Sequence, residues 1–162
     1  MIKEIVLRRE KKMNTINDNI TSFLQHQTSA TICCNDETGN PYCFSCYYVF
    51  NREKAVLYFK SSADAYHTAL LVNNLVVSGT VLPDKLNKLV TKGIQLQGEV
   101  VDQGRLLAKE ASAIYHKKIP MAYVIKGKVF AIRINVIKMT DSRLGFGKKI
   151  KWERNETGVI SV

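Results

Sequence analysis

The sequence predicts a mainly β fold, in which six or seven antiparallel strands form a single barrel and two or three helices cover its ends. Strand-like segments follow one another through short polar turns and do not alternate with helices as they would in a βαβ fold. Neither an internal repeat nor a low-complexity tract interrupts this order. The 162 residues suffice for one domain. We expect it to span 13–155, with 1–12 as an N-terminal extension and 156–162 as a tail.

Local signals place each element. The first helix begins after a capping residue at Asn14, Thr15 or Asn17 and continues, with apolar residues at helical spacing, to about His26. Two further helices are predicted, one from just after Ser62 to about 73 and one over 103–117. The strands are rich in β-branched and aromatic residues, and we predict them at 28–34, 42–50, 55–60, 75–81, 94–101, 129–134 and 149–152, with 137–140 either continuing the sixth strand or pairing separately.

The composition is that of a soluble globular chain, with 46% hydrophobic and 23% charged residues. No apolar run approaches the length of about 20 residues that spans a bilayer. The N-terminal residues lack the apolar segment and cleavage site of a signal peptide. We therefore expect a cytoplasmic protein.

The chain is basic, because 24 Lys and Arg residues against 14 Asp and Glu residues give a formal net charge of +10. This charge favours anionic partners such as nucleic acids and phosphate esters. The basic residues are scattered over several loops, with no basic helix leading into heptads and no zinc-finger spacing, so nucleic acid is the weaker alternative. Several basic loops converging on one phosphorylated ligand fit the pattern at least as well.

Four cysteines stand at positions 33, 34, 43 and 46, and the last two have CxxC spacing. Side chains alternate between the two faces of a strand, so Cys43 and Cys46 point to opposite sides, as do Cys33 and Cys34. A metal or a disulfide needs converging sulfurs. We therefore expect no metal and no disulfide, and interpret the cysteines as small buried hydrophobic residues in a reducing compartment.

A strand that turns into a helix at Ser61 and Ser62 is the first candidate site. A helix N-terminus leaves backbone N–H groups free where the helix dipole is positive, and this suits a phosphate. The serines add hydroxyl donors, and His67 lies about one helical turn further along. Asp64 would repel a phosphate unless its carboxylate points away. Most such turns only cap their helix.

Motifs that carry chemistry by themselves are absent from the sequence, including GxGxxG, the P-loop, HExxH and GxSxG. The three histidines, His26, His67 and His116, have no metal-ligand spacing. Basic loops and a phosphate-type turn without evident catalytic side chains are expected where a cofactor supplies the chemistry.

Six segments, at 73–77, 79–81, 93–100, 115–120, 137–141 and 144–149, match a known family. The most specific are the Gly93-Ile94-Gln95 strand and the Gly-Phe-Gly-Lys-Lys run that begins at Gly145. Over about 14–154 the chain resembles the flavin-binding split barrels related to pyridoxamine 5′-phosphate oxidase, and its C-terminal half is most similar to their YhbP-like branch. The resemblance implies a split β-barrel and FMN as the cofactor.

The resemblance also implies a flavin site, residue by residue. Along the chain the implied contacts are Ser45, Cys46 and Tyr47 beside the isoalloxazine ring, Lys60 at the end of the third strand, Ser61, Ser62, Tyr66 and His67 around the phosphate, Gln95 on a strand that faces the ring, and Lys148 at the phosphate or substrate.

Three departures from the oxidase limit what the resemblance implies. Ser45 stands where the oxidase has an arginine that holds the phosphate. His67 replaces a lysine, which would make a phosphate contact depend on pH, because histidine titrates near pH 6.5. The oxidase's C-terminal substrate motif is not visible, so vitamin B6 oxidation is not implied.

The predicted function is therefore FMN-dependent oxidation or reduction of a small molecule, with NAD(P)H or a reduced substrate as donor. The resemblance further implies a homodimer with two sites at the subunit interface. Two alternatives stay open: a module of the same fold that binds or senses flavin, haem or a deazaflavin without turnover, and a nucleic-acid-binding protein that uses the basic surface.

Overall fold

The computed structural model describes residues 13–101, 106–145 and 147–155. The predicted extension at 1–12 and tail at 156–162 lie outside the described residues. The helices are α1 (Asp18–His26), α2 (Tyr66–Asn73) and α3 (Leu106–Lys118), with 3₁₀ turns at Pro120–Val124 and Ser142–Leu144. The strands are β1 (Ser29–Asn35), β2 (Pro41–Asn51), β3 (Val56–Ser61), β4 (Val76–Val81), β5 (Lys92–Val100), β6 (Lys128–Asp141) and β7 (Lys149–Glu153).

The strands form one antiparallel sheet in the order β3-β2-β1-β4-β5-β6-β7. A further antiparallel pairing of β3 with β6 closes six of the strands into a barrel, and β7 is added outside on β6. The predicted class, a mainly β antiparallel barrel of six to seven strands with helices, is confirmed.

Alternation of apolar and polar residues fixes the two faces of the barrel wall. On β5, Ile94 and Leu96 are buried while Gln95 and Gln97 are exposed, as the sequence predicts. The side chains that point inward form one large core, with α1 contributing Ile20 and Phe23. We call the inward side of the wall the inner face and the opposite side the outer face.

β6 is one continuous strand of 14 residues, where the sequence left one or two strands open. Its first half pairs with β3 and its second half with β7, while β5 pairs along most of its length. A register shift between Gln97 and Gly98 accommodates this double role. A Cβ on Gly98 would lie 2.4 Å from the backbone oxygen of Arg133, so only glycine allows the two strands to approach this closely.

Two helices differ in how well the sequence located them. Asn17 caps α1, since its side-chain oxygen accepts a hydrogen bond from the backbone N–H of Asn19 at 2.9 Å. The second helix starts at Tyr66, later than predicted, and its cap residue Ala65 makes no side-chain capping bond. Residues 62–65 form a turn between β3 and α2. The prediction that the helix begins directly after the serines was wrong. The side chains of Ser61 and Ser62 bond to Thr68 and Asp64 and do not cap the helix.

A smaller apolar cluster lies on the outer face, where α3 covers β3 and β6. It consists mainly of Tyr58, Tyr115, Ala111 and Ala131, all at most 3% exposed. This helix therefore shields one sector of the outer face, while the sector formed by β1, β2, β4 and β5 carries mostly polar, exposed side chains.

The prediction of no disulfide was wrong, because Cys33 and Cys43 form one. Alternation along each strand is as predicted, but the register pairs Cys33 with Cys43 across the β1–β2 hairpin, so two outward cysteines meet. Cys34 and Cys46 are free and point inward. Burial raises the pKa of Cys34 and raises that of Cys46 to about 12.

Two absences hold for the described part of the chain. No three His, Cys, Asp or Glu side chains within it lie close enough together to share a metal ion. No helix within it is both long and apolar enough to cross a membrane.

Candidate functional site

The barrel wall opens between β2 and β3. The two strands pair only where Tyr48–Asn51 faces Val56–Phe59. Beyond this segment β2 stays with β1, while β3 stays with β6 through Ser61. Tyr47 and Lys60 are the first residues past the pairing, one on each side of the opening. We call this opening the β2–β3 gap.

The hydroxyl of Tyr115, from α3, is inserted at the β2–β3 gap. It donates to the backbone oxygen of Tyr47 at 3.5 Å, and the backbone of Lys60 lies close to it on the other side of the gap. Tyr115 is 3% exposed, and burial raises its pKa. The phenol thus lies where the hydrogen-bond ladder between β2 and β3 ends and satisfies a backbone oxygen of β2.

Lys60 places an ammonium group at the gap. Its Nζ donates to Nε2 of His116 at 3.0 Å and to the backbone oxygen of Ala122 at 2.7 Å. Both acceptors are neutral, and no carboxylate of the described residues lies within ion-pair distance of Lys60. Because an ammonium carries three donors, one N–H is left for a ligand, and the positive charge is available to an anion.

The position of His116 is fixed from two sides. The residue is 6% exposed, and its Nδ1 donates to the backbone oxygen of Ser112 at 2.8 Å, one helical turn earlier. These partners assign the proton to Nδ1, which leaves the lone pair of Nε2 to accept from Lys60. Tyr123 stacks on the imidazole with ring centroids 4.2 Å apart and is itself 69% exposed.

Sequence reasoning missed His116 and Tyr123 as site residues. They come from α3 and the following 3₁₀ turn, 56 and more residues after Lys60. The available signal was the segment 115–120, which matched the family resemblance without any role attached to its histidine.

A cavity of about 850 Å³ lies next to the gap, between the end of α1, the middle of β2 and the end of α3. Its walls include Tyr47, His26, Tyr48 and Lys118. This volume falls within the usual range for small-molecule sites, which is roughly 300–1,000 Å³. Nδ1 of His26 donates to the backbone oxygen of Ser22 at 2.6 Å, and its Nε2 has no hydrogen-bond partner among the described residues.

The serine turn is organised around its own side chains. Thr68 donates to the backbone oxygen of Ser62 at 2.7 Å, so at its 3.2 Å contact with Ser61 the serine must be the donor. Nε2–H of His67 then donates to Ser61 at 2.5 Å. The Ser62 hydroxyl donates to Asp64. Neither serine therefore has a hydroxyl proton left for a phosphate.

The charges at this turn are also unfavourable for a phosphate in the observed arrangement. His67 stacks on Phe44 with ring centroids 3.8 Å apart, and burial lowers its pKa, which keeps the imidazole neutral near pH 7. The hydrogen bond from Ser62 lowers the pKa of Asp64, which stays an anion. The predicted phosphate contacts of Ser61, Ser62 and His67 remain a prediction that requires these bonds to rearrange.

The other predicted site residues are spread over the barrel. Ser45 lies on the outer face in a cross-strand row with Thr31, Thr80 and Gln95. Three strand spacings place Ser45 and Gln95 about 14 Å apart. The remaining three predicted residues lie apart from this row: Cys46 points into the core, Tyr66 is exposed with its ring edge against Tyr42, and Lys148 is exposed in the turn before β7.

The donor set at the β2–β3 gap fits the ring of a flavin. Tyr47, which is 68% exposed, offers an aromatic surface, and Lys60 offers a cation held by neutral partners. At the serine turn, in contrast, His67 is neutral and Asp64 is an anion, and the strand register places Lys128 opposite Ser61. Of the ten predicted contacts, the structure brings Tyr47 and Lys60 to the gap, with Ser45 two residues along β2 on the same face.

The architecture is that of the split-barrel proteins. A haem-binding protein from Mycobacterium smegmatis superposes with a TM-score of 0.65 at 16% identity over 78% of this chain and 53% of its own. A FAD-binding protein from Mesorhizobium loti gives 0.63 at 16% identity, over 80% and 97% of the two chains. HutZ, the haem storage protein of Vibrio cholerae, gives 0.54 at 14% identity over 87% and 96%. At such identities the likeness concerns the fold alone.

Sequence comparison then gives the family. A UPF0306 protein of Photorhabdus laumondii is 35% identical over 136 residues, which cover 83% of this chain and 94% of the relative. A UPF0306 protein of Serratia proteamaculans is 33% identical over 148 residues, covering 88% and 99%. This protein belongs to the UPF0306 family. No protein-family model matches the chain.

Proposed function

We propose that this protein binds FMN at the β2–β3 gap and uses it to oxidise or reduce a small molecule, with NAD(P)H or a reduced substrate as electron donor. The observation that carries the proposal is the Lys60 ammonium, which stands beside an exposed aromatic ring at the opening of the wall and, among the described residues, contacts neutral acceptors alone. The fold, shared with proteins described as FAD-binding and haem-binding, supports a cofactor role. The Gly-Phe-Gly-Lys-Lys run supports placing the chain in the YhbP-like branch.

Bound FMN would supply hydride transfer, a chemistry that none of the side chains at the gap can perform. Lys60 would neutralise the negative charge that a flavin gains on reduction, which favours the reduced state. His116 and Ala122 hold the ammonium in place and leave its third N–H for a ligand. Tyr47 and Tyr123 provide exposed aromatic surface on which a planar ring can stack.

We further propose a homodimer whose second subunit covers the gap. Met121, Val124 and Ile125 are exposed near Tyr123 in the sequence and flank Ala122, whose backbone oxygen contacts Lys60. Several large apolar side chains exposed on one short segment are typical of an interface. A second copy of the chain would also exclude water from the cofactor and place two sites at the interface, as the family resemblance implies.

One observation favours a second candidate, a haem-binding module without turnover. Nδ1 of His26 is anchored to a backbone oxygen, and its Nε2 is unbonded within the described residues and borders the cavity of about 850 Å³. Metal-ligating histidines are commonly oriented in this way. Lys118, on the same cavity, could pair with a haem propionate. A deazaflavin would use the same contacts as FMN.

The test is an absorbance titration of the purified protein with FMN and, separately, with haemin, followed by gel filtration. We expect flavin bands to elute with the protein and Lys60→Met to weaken FMN binding about tenfold, as expected for loss of one charge-assisted hydrogen bond. Lys85→Met, on an exposed loop, is the matched control.

The outcomes separate the candidates. A Soret band that His26→Ala removes, without flavin retention, would overturn the FMN assignment in favour of haem. Retention of neither cofactor, with salt-dependent retention on DNA, would instead support the nucleic-acid alternative. If the protein retains flavin that neither NADH nor NADPH reduces, FMN binding would be supported and NAD(P)H would be excluded as the electron donor.

A further inference from the structure

The Cys33–Cys43 disulfide lies on the outer face, outside the proposed cofactor contacts. The two residues stand directly opposite each other on β1 and β2, with Cα atoms 4.1 Å apart. The hairpin pairs at seven consecutive positions, so backbone hydrogen bonds hold the strands together without the disulfide. Opening the bond would therefore leave both sulfurs facing each other on an unchanged fold.

A purely structural role accounts poorly for this disulfide. It closes a loop with a sequence separation of only 10, and the entropic stabilisation by a disulfide decreases as the loop becomes shorter. Cys43 is exposed and Cys33 is half-buried, so a small molecule can reach the bond. Cys34 and Cys46, on the same strands, point inward, and burial raises their pKa values, which makes them poor nucleophiles. The chain thus separates one accessible pair from two unreactive thiols.

A groove beside Cys33 indicates the class of molecule that would react there. It has a volume of about 490 Å³ and is lined by the backbone and polar side chains of β4, β5 and β6, with Lys138 and Lys151 at its far end. Lys151 pairs with Glu153, whereas no carboxylate among the described residues lies within ion-pair distance of Lys138. Amide and hydroxyl groups with one available cation suit a peptide-like molecule that carries a carboxylate.

We propose that Cys33 and Cys43 are a redox-active pair that exchanges electrons with small carboxylate-bearing thiols and their disulfides. A thiolate of the small molecule attacks one sulfur of the pair; the protein S–S bond breaks, a mixed disulfide forms, and the other cysteine leaves as a thiolate that takes up a proton. A second thiolate attacks the mixed disulfide and releases the external disulfide and the second protein thiol. In total the protein bond gains two electrons and two protons, and two external thiols become one disulfide.

Thiol counting by mass spectrometry, after alkylation in denaturant, tests the proposal with glutathione as the probe. Native protein should show two alkylated cysteines after incubation with oxidised glutathione and four after reduced glutathione. Cys33→Ser and Cys43→Ser should abolish this change of two, whereas Cys34→Ser should lower both counts by one and keep the change. Four alkylated cysteines after both incubations would overturn the proposal, because no disulfide would then form. A disulfide that glutathione reduces only after the protein has been unfolded would also overturn it.

The class of the small thiol is tested by Lys138→Gln. We expect the variant to exchange with reduced glutathione at least threefold more slowly and with uncharged 2-mercaptoethanol at the wild-type rate. If Lys138→Gln and the wild type exchange with reduced glutathione at equal rates, the proposed role of the carboxylate would be overturned. None of these measurements needs a flavin, so a protein that fails to bind FMN but cycles its thiols would separate this inference from the proposed function.

Discussion

The Lys60 ammonium and the His116 imidazole form a hydrogen-bonded pair, 3.0 Å apart, in which the lysine is the donor. Because Nδ1 of His116 is held by the Ser112 backbone oxygen, the imidazole cannot rotate away without losing a second bond. His116, on α3, thus restrains the position of the Lys60 ammonium on the barrel wall. A positive charge fixed in this way is a better anion contact than a lysine free in solvent, since less side-chain entropy is lost on binding.

Replacing His116 by alanine should therefore affect both stability and binding. Loss of the acceptor leaves a half-buried ammonium one hydrogen bond short, which we expect to cost about 1–3 kcal/mol in the free energy of unfolding. FMN affinity should fall about tenfold. Urea unfolding and a flavin titration measure the two effects, and His116→Gln, which keeps an acceptor, should recover part of each. An alanine variant as stable as the wild type would show that the pair contributes nothing.

The histidine at the serine turn predicts a specific dependence of stability on pH. Burial lowers the pKa of His67 in the folded state below its value of about 6.5 in the unfolded chain. The unfolded state then binds more protons between these two values, so stability is lost as the pH falls from about 6.5 through the folded pKa. We expect His67→Gln to flatten this part of the curve, as measured by urea unfolding between pH 5 and pH 8.

The same residue tests whether the FMN phosphate lies at the serine turn. If the FMN phosphate lies at the serine turn, protonation of His67 should strengthen binding, and FMN affinity should increase below pH 6.5 in the wild type but not in His67→Gln. If FMN is held mainly by Lys60, its affinity should stay constant over this range. The present hydrogen bonds of Ser61 and Ser62 favour the second result.

Asp141 is the last residue of β6, and we expect its contribution to the stability of the fold to be lost in acid. Its carboxylate is 4% exposed, accepts from the guanidinium of Arg143 at 3.0 Å and from Lys92 at 3.1 Å, and these contacts hold its pKa well below the usual range. A depressed folded pKa gives stability that is present above the unfolded value of about 3.9 and is lost as the pH falls through the folded one.

Asp141→Asn should accordingly lower the free energy of unfolding by about 2 kcal/mol at pH 7, the usual size for hydrogen bonds to a charged group. The difference in the free energy of unfolding between the variant and the wild type should become smaller below pH 4. Chemical unfolding at pH 7 and pH 3 provides the comparison, and Asp18→Asn, at an exposed ion pair, should change stability by less than about 0.5 kcal/mol. A difference that persists undiminished at low pH would contradict the assignment.

The sequence was sufficient for features that depend on local periodicity. The strands and the inner face of β5 follow from alternation, and Asn17, which caps α1, is one of the three capping residues that the sequence offered. Features that depend on register or docking could not be read locally. Cys33 meets Cys43 only through the hairpin register, and Lys60 meets His116 only because α3 packs on the outer face.

The late start of α2 has a similar cause. A serine followed by a helical pattern normally indicates a cap. Here the hydroxyl of Ser61 bonds to Thr68 within α2 and that of Ser62 bonds to Asp64, and the helix begins at Tyr66. Sequence patterns show which side chains could cap a helix. They cannot show whether such a side chain bonds to the helix N-terminus or to another partner. The candidate phosphate site depended on this cap, whereas the proposed ring contacts of Tyr47 and Lys60 did not.

Gly127 controls how closely the loop before β6 approaches the end of β3. Its φ is +146°, and a Cβ at this position would lie 2.4 Å from the backbone oxygen of Ser61. Gly127→Ala should therefore combine backbone strain with a backbone clash and cost about 2–3 kcal/mol. Gly39→Ala is the matched control, since its φ is +86° but nothing lies within 4 Å of the added carbon; strain alone should cost about 1 kcal/mol.

Thermal and urea unfolding of both glycine variants would measure the difference. Because Ser61 follows Lys60 directly, displacement of the Ser61 backbone by the Gly127→Ala methyl group should also move the ammonium away from His116. We therefore expect Gly127→Ala, and not Gly39→Ala, to weaken FMN binding in addition to stability. Equal losses of stability in the two variants would show that the loop can move aside, and that the close approach at Ser61 does not fix the position of Lys60.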